Sequence, residues 1–486
     1  MVAPVYNFSG RDFTAEFERM LALLIDPVEG IPEYTDLNHS DAGVTQIRLT
    51  SKSTDEANFY VDEAFKAGFV SYAEFKQHLI DLGLLVGFLP KIWSAASTKL
   101  KFTRREGVTG LVTIPRYTQF TRRGDSLVYV TTDEVAIQAS ADSVECYGIQ
   151  GEPQERTVQP EDFILTYDWS GHTRTNLGTG VAAGTVTVSQ GNPPQFWTEA
   201  ESFYESGPMD RHFILELNGD TDEVWLVLGD GAKGIAIPEE PLTVSFVLTA
   251  GASGNCGHSI ITGVPETLTD LITCTNTEPA TGGAAPESIE SIRRNIPRMT
   301  ETQRRMIVKD DYEARIEHLP GVLHCQALDR NDLSREAILA LYGSESGGWP
   351  HHYVTLVCVP EGGGPMSTYL KEQIWAECGR KGHLGTWKER YILHDAIPNV
   401  VNITARVGVR QGYAPAAVTS AVSAALQTVL APQNRTIGGG LPFIELHQAA
   451  SAVAGVSWVE FDTPRESVPG IDGFLVTPGT IIVTPA

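Results

Sequence analysis

Between Val227 and Asn255 the chain reads VLGDGAKGIAIPEEPLTVSFVLTAGASGN. Gly229, Asp230 and Gly231 make a tight turn, Gly234 and Pro238 break the chain again, and Gly251, Gly254 and Asn255 form a GxxGN turn. Glycines this closely spaced supply positive φ at corners, and Leu242, Val244, Phe246 and Leu248 alternate like one face of a half-buried strand. The pattern predicts a β-hairpin with demanding corners, inside a region built from short strands. Asp230 is its one candidate for ion binding or acid chemistry. A tight turn accounts for the same residue, because its carboxylate can bond the local backbone.

The texture around this stretch divides the chain, whose 486 residues exceed one ordinary core. Residues 11–90 read as helical. Phe13, Phe17, Met20, Leu21 and Leu24 recur at helical spacing, with Ser9 as cap and Pro27 as stop. A longer pattern follows Ser40 or Asp41 as N-cap: Val44, Ile47, Leu49, Ala57, Phe59, Tyr60, Ala64 and Phe65. A third helix is predicted from Ser71 to Leu82, ending at Gly83.

From Ala95 to Cys274 short alternating runs predict strands at Leu111–Ile114, Leu127–Thr131, Val135–Gln138, Thr185–Val188, Phe213–Leu217, Glu223–Leu228 and Leu242–Leu248. These make a sandwich or a partly closed barrel, with the turn-rich stretch Asp168–Gly184 as an insertion. Residues 275–335 read as a helical connector with helices at Glu287–Arg294 and after Val308, the second stopped by Pro320–Gly321. Beyond 350, strands at Tyr353–Pro360, Val400–Val409 and Val456–Phe461 alternate with helices at Ser367–Cys378, Pro415–Leu430 and Pro442–Ala454. Gly470–Ala486 reads as a final hairpin. The fold class is therefore multidomain α+β: an N-terminal helical segment (1–94), an all-β middle domain (95–280), a helical connector (281–335) and a C-terminal α+β sheet domain (336–486).

Charge and cysteine usage narrow the function classes. Sixty acidic against thirty-six basic residues give a net charge of −24, the wrong sign for a nucleic-acid or anionic-membrane surface. No apolar run approaches the roughly 20 residues of a spanning helix. The sequence MVAPVYNFSGRDF has no basic segment followed by an apolar core, so no signal peptide is expected. The six cysteines lack CxxC spacing and suit reduced thiols.

Other motifs read as structural. Gly178-Thr-Gly-Val-Ala-Ala183 matches GxGxxA without a strand–turn–helix unit around it. Glu345-Ser-Gly-Gly348 has no histidine partner context, and His351–His352 has no third ligand at metal spacing. Asp310–Asp311 sit where a helix N-terminus favours negative charge. Neither a catalytic cluster nor a metal or cofactor site is expected.

Four segments, taken in order, resemble the baseplate J-like wedge proteins of contractile phage tails and related injection machines. Asp36-Leu-Asn-His-Ser-Asp-Ala-Gly43 is similar to the opening "tD.n.sD.G" pattern, and Gly110-Leu-Val-Thr-Ile-Pro-Arg-Tyr-Thr-Gln-Phe120 to "g...IP.gt.f". Val227–Asn255 resembles the "v.fGdG..G..p…y..g.G..GN" core, and Gly282–Gly321 the connector "gG...Es...iR...p......aVt..DYe.......gV". Leu430-Ala-Pro, Ile437-Gly-Gly-Gly and Ile444 fall where the last domain of the family would place them. Two positions depart from the pattern, Leu228 for Phe and Arg116 for Gly.

The resemblance implies a structural, non-enzymatic wedge component. It pairs with a second copy of itself, joins a bundle with a helical wedge partner, and meets the central hub and sheath-proximal baseplate proteins. Its wedges link into a ring that rearranges on sheath contraction. The location implied is the virion tail baseplate, assembled in the host cytoplasm, with no nucleic acid or membrane partner. Expected interface residues are Phe13, Phe17, Leu21 and Leu24, then Val44, Ile47 and Phe59. The alternative is a carbohydrate-binding or carbohydrate-cleaving tail protein using Trp169, Trp197, Tyr204 and Trp225, for which cleavage would need two carboxylates facing a groove.

Overall fold

A computed structural model describes residues 11–165 (without Pro27, Glu29, Pro32, Glu33, His39 and Ser40), 171–329 (without Arg304), 354–382 and 390–485. The described residues form a mixed α+β, multidomain chain with eight α-helices. It divides into two compact units, Met1–Phe88 with Ser288–Ile296, and Leu89–Glu287 with Pro297–Ala486. The expectations for Ser9, Pro27, Ser40, Trp169, Glu345–Gly348 and His351–His352 lie outside the described residues.

The first unit is helical. Helix α1 (Phe13–Leu24) starts at Asp12, whose side chain accepts the Ala15 amide at 2.8 Å. Helix α2 (Ala42–Ala67) starts at Asp41, which accepts from Gly43 and Val44. The two run antiparallel, since Asn58 donates to the Arg11 carbonyl near one end and Ser51 meets the Met20 sulfur nearer the other. Helix α3 spans Lys76–Leu85, later than the predicted Ser71–Leu82. Gly83 is interior to α3 rather than its stop. A Cβ there would come within 2.9 Å of the Phe88 ring, so the glycine makes room for that packing. Helix α4 (Ile289–Glu301) lends this unit its first part, where Arg293 donates to the carbonyls of Val70 and Ala73.

In the second unit the first β-module is a six-stranded antiparallel sheet ordered 261–263, 119–122, 128–131, 143–150, 97–104, 272–276. It curls until its two edge strands meet. The Asn276 side chain on one edge accepts the amides of Ile260 and Ile261 on the other at 2.8 and 3.0 Å, and donates to the Gly257 carbonyl. Of the seven strands predicted for one sandwich or partly closed barrel, only Leu127–Thr131 enters this sheet; Leu111–Ile114 and Val135–Gln138 pair with each other in a separate ladder, and the other four lie in different sheets. Leu100, Phe102, Ile114, Phe120, Tyr129, Ile137 and Ile272 fill the curled sheet. The strand Ser97–Arg104 is additional to the expected set, although Leu100 and Phe102 alternate with Lys99 and Lys101.

Two further sheets follow, of four strands (195–196, 187–190, 242–248, 152–158) and of five (198–199, 212–217, 223–228, 173–179, 164–165). They correct the predicted hairpin. Glu223–Leu228 and Leu242–Leu248 are strands as expected, but they belong to different sheets, and the GDG segment crosses between them. Thirteen residues with two prolines, Gly229–Pro241, are too long and too irregular for a hairpin loop. Part of the expected insertion is also a strand. Thr173–Thr179 pairs on both sides, burying Thr173, Thr175 and Leu177 in alternation.

The C-terminal region has two three-stranded sheets. In the first, 354–360 is central between 322–328 (antiparallel) and 391–395 (parallel), with α5 (Lys309–Glu317) and α6 (Thr368–Lys381) against it. In the second, 397–409 is central between 456–463 (antiparallel) and 474–485 (parallel). Helices α7 (Pro415–Leu430) and α8 (Phe443–Ser451) cover one face of this sheet. Val418, Val422, Leu426 and Leu430 recur every four residues and meet Val401, Ile403, Ala405 and Val407, which recur every two. The predicted final hairpin is instead the single strand Phe474–Pro485. Its register slips opposite Val401–Ile403, which accommodates Pro478 and Gly479 without ending the strand.

Candidate functional site

Two of the segments with family-like patterns, Val227–Asn255 and Gly282–Gly321, meet at one backbone junction in the second unit. Gly251–Gly254 is a single 3-10 turn, and Asn255 after it makes a reciprocal pair with Gly283. Its amide nitrogen donates to the Gly283 carbonyl and its oxygen accepts the Gly283 N–H, both at 2.9 Å. A Cβ on Gly283 would lie 2.4 Å from the Gly251 carbonyl oxygen, so only glycine allows this approach. Gly282 donates to the Glu361 carbonyl, and Glu361 in turn to that of Gly321. Ser94 closes the other side by exchanging backbone bonds with Ala284. Thus the GxxGN turn, the GG loop and the Pro320–Gly321 stop, distant in sequence, form one stitched joint. Asn255→Ala removes both side-chain bonds and is expected to cost about 1–3 kcal/mol. A lower denaturant midpoint at unchanged slope checks this, and an unchanged midpoint would refute it.

The GDG crossover is likewise structural. Asp230 accepts the amides of Ala232 and Lys233 at 2.8 and 2.6 Å, an Asx turn that holds its carboxyl below the usual range chiefly through the Lys233 amide. Gly231 and Gly234 take the positive φ expected of them. Lys233 reaches back to the Tyr204 carbonyl at 2.7 Å. Among the described residues no group of three or more His, Cys, Asp or Glu is placed to hold a metal ion.

A buried ionic cluster, absent from the sequence reading, lies between α5, α6 and the 201 loop. Arg315, 7% exposed, bonds Glu377 at 2.5 Å and Glu201 at 3.1 Å. Arg380 reaches both acids and Lys381 reaches Glu201. Burial would raise the Glu201 carboxyl, but Arg315, Arg380 and Lys381 outweigh it and hold the group at about 2. Nearby, burial pushes His318 down to about 4, with Glu287 opposing and Lys91 and Arg315 adding to the fall. Glu201, Arg315 and Glu377 lie far apart in sequence, and no motif marks them. Elsewhere Asp311 accepts the amides of Ile307 and Val308 at the start of α5, the role that its position suggested.

The expected interface residues divide by burial. Phe13, Phe17, Leu21 and Leu24 are half-buried along α1, with the Phe13 and Phe17 rings stacked at 6.0 Å. Ile47 is half-buried, Val44 is wholly buried within its unit, and Phe59 is 59% exposed. The same helical unit exposes Leu49, Tyr60, Val61, Phe65, Phe69 and Phe75, several of which the sequence pattern had assigned to packing. On α2, Leu49 and Tyr60 are about three turns apart on the side opposite Val44, Ser51 and Asp62, the residues it buries. The helix therefore carries apolar groups on two faces and covers one.

Comparison with known proteins bears on the second C-terminal sheet. Residues 401–484 match the family model of the Baseplate J-like protein C-terminal domain. The resemblance drawn from the sequence is borne out there. The baseplate J-like stretch takes in the three-stranded sheet from Val401 onward with α7 and α8, and it supports a structural role in a baseplate. No curated protein matches the chain. Among solved structures, the chain is similar to one in the cryo-EM structure of the anti-feeding prophage (AFP) baseplate, 6-fold symmetrised. Identity is 12%, the TM-score is 0.35, and 97% of this chain and 99% of that chain are covered. A second similarity is to the type VI secretion system TssK-TssF-TssG baseplate subcomplex, at 8% identity and a TM-score of 0.26, covering 72% of this chain and 95% of that chain. At these TM-scores neither likeness supports an inference about fold or partner.

Proposed function

We propose that this chain is a non-enzymatic wedge component of a contractile-tail baseplate. It pairs with a second copy within each wedge and links wedges into a ring around the central hub that rearranges on sheath contraction. The match of residues 401–484 to the baseplate J-like domain carries this reading. The doubly apolar α2 supports its finer part, because a helix with a second uncovered apolar face is at home in a bundle. The helical wedge partner covers that face, and Phe13, Phe17, Leu21, Leu24, Val44, Ile47 and Phe59 supply the contacts or the helix packing behind them. The charge of −24 keeps free subunits apart before assembly. The particle forms in the host cytoplasm and the chain resides in the tail baseplate, next to hub and sheath-proximal proteins. Localising a tagged copy in intact particles tests the reading.

A further inference from the structure

The strand Phe474–Pro485 is an outer strand of its sheet, hydrogen-bonded on one side to 397–409 and, among the described residues, to no strand on the other. Its last part, Thr480-Ile-Ile-Val-Thr484, is five β-branched residues without a charge, the composition best suited to a pleated ladder. Open edges are normally blunted by charge, proline or shortness. The opposite edge of the same sheet, Val456–Thr463, carries Glu460 and Asp462, and the edge strand Glu152–Val158 carries Glu152, Pro153, Glu155 and Arg156. Within 480–484 there is neither charge nor proline; the prolines of this strand, Pro478 and Pro485, flank the segment and bound the open ladder.

We infer that this edge pairs with the same edge of a second copy, antiparallel about Ile482, which gives a surface to the self-pairing proposed above and rests on that reading. The segment is nearly a palindrome. A dyad at Ile482 sets Thr480 opposite Thr484, Ile481 opposite Val483 and Ile482 opposite itself. Every cross-strand pair is then β-branched and neutral, so a chain of net charge −24 meets its copy without opposed charges at the ladder. The alternation of the strand places Ile482 and the threonines on the exposed face, with Ile482 49% accessible. Ile481 and Val483 point toward the core and are only partly covered. Pairing sets those two residues against each other's partners and continues the apolar core across the dyad. Three strands from each copy become one six-stranded sheet with the helices of both copies on one face.

Sedimentation of the full chain and thiol cross-linking test this together. Ile482→Lys, which puts two ammonium groups opposite each other, is expected to weaken self-association on the order of tenfold or more. Trp458→Lys, at a residue of the far edge strand that is 47% exposed, should leave it unchanged. With a short bis-maleimide, Ile482→Cys should link copy to copy, Thr480→Cys alone should not, and the Thr480→Cys/Thr484→Cys pair should. A dimer that survives Ile482→Lys and does not cross-link through position 482 overturns the edge pairing while the self-pairing reading stands. A wild-type chain that stays monomeric at high concentration overturns both.

Discussion

Replacing Phe59 and Tyr60 together with glutamate is expected to leave the chain folded and to abolish its association with a helical wedge partner. The two side chains are 59% and 64% exposed, so the folded monomer loses little by the change. In a bundle they would be buried, and each aromatic contributes roughly 1.5–3 kcal/mol through burial alone. Losing both, and placing two carboxylates in the contact, weakens binding on the order of a hundredfold or more. Co-purification of the variant with its wedge partner, beside an unchanged far-UV spectrum and melting temperature, is the check. Undiminished co-purification would remove this face from the interface. The half-buried Phe17 and Leu21 make a less clean test, because they also pack within α1 and α2.

Arg315→Met is the second large effect, and it acts on stability. It leaves Glu377, 5% exposed, with the half-exposed Arg380 as its remaining partner, and losing the buried charged hydrogen bond costs about 1.5–3 kcal/mol. The double variant Arg315→Met/Glu377→Met should recover much of that loss, since it removes both buried charges. The same cluster sets an acid response. Glu201 titrates at about 2 in the folded chain, below the ordinary value of about 4.3. Between those values the unfolded chain binds a proton that the folded chain does not, so stability is lost as pH falls through that window. His318 acts earlier. Neutral down to about 4 when folded, against an ordinary value of about 6.5, it also makes stability fall with falling pH. Glu313 and Glu361 are raised by burial and oppose it in this upper range, which leaves the window below about 4.3 as the clearer readout. Denaturant titrations at stepped pH should show the lower-window loss shrinking in Arg315→Met. An unaltered pH profile would contradict the role given to the cluster.

Local pattern made much of this fold readable. Glu223–Leu228, Leu242–Leu248 and Pro415–Leu430 occupy the residues their periodicity predicted, because each buries one face against a core in the ordinary way. The misreadings share a cause. Whether two adjacent strands pair with each other or with distant strands depends on contacts far along the chain, so the 227–255 hairpin and the 470–486 hairpin could not be told from a crossover and a single strand. Thr173–Thr179 was hidden because threonines bury their methyl groups without reading as apolar. Gly83 looked like a helix stop, yet its reason is the Phe88 ring five residues later.

Of the candidate site, the glycines and Asn255 were visible as a motif, but not that their partner was Gly283. The Glu201–Arg315–Glu377–Arg380 cluster was invisible, since charged residues scattered over 180 positions carry no spacing signal. For the interface, helical periodicity identified apolar α1 and α2 residues but not their burial. That is why wholly buried Val44 and exposed Phe59 stood together.

The most direct test of the central claim is electron microscopy of intact particles that carry a tagged copy of this chain. A wedge component predicts label at the baseplate, arranged as a ring around the central hub in extended tails and displaced outward after sheath contraction. Label confined to the sheath, the tail tip or free protein, with baseplates complete in its absence, would contradict the account.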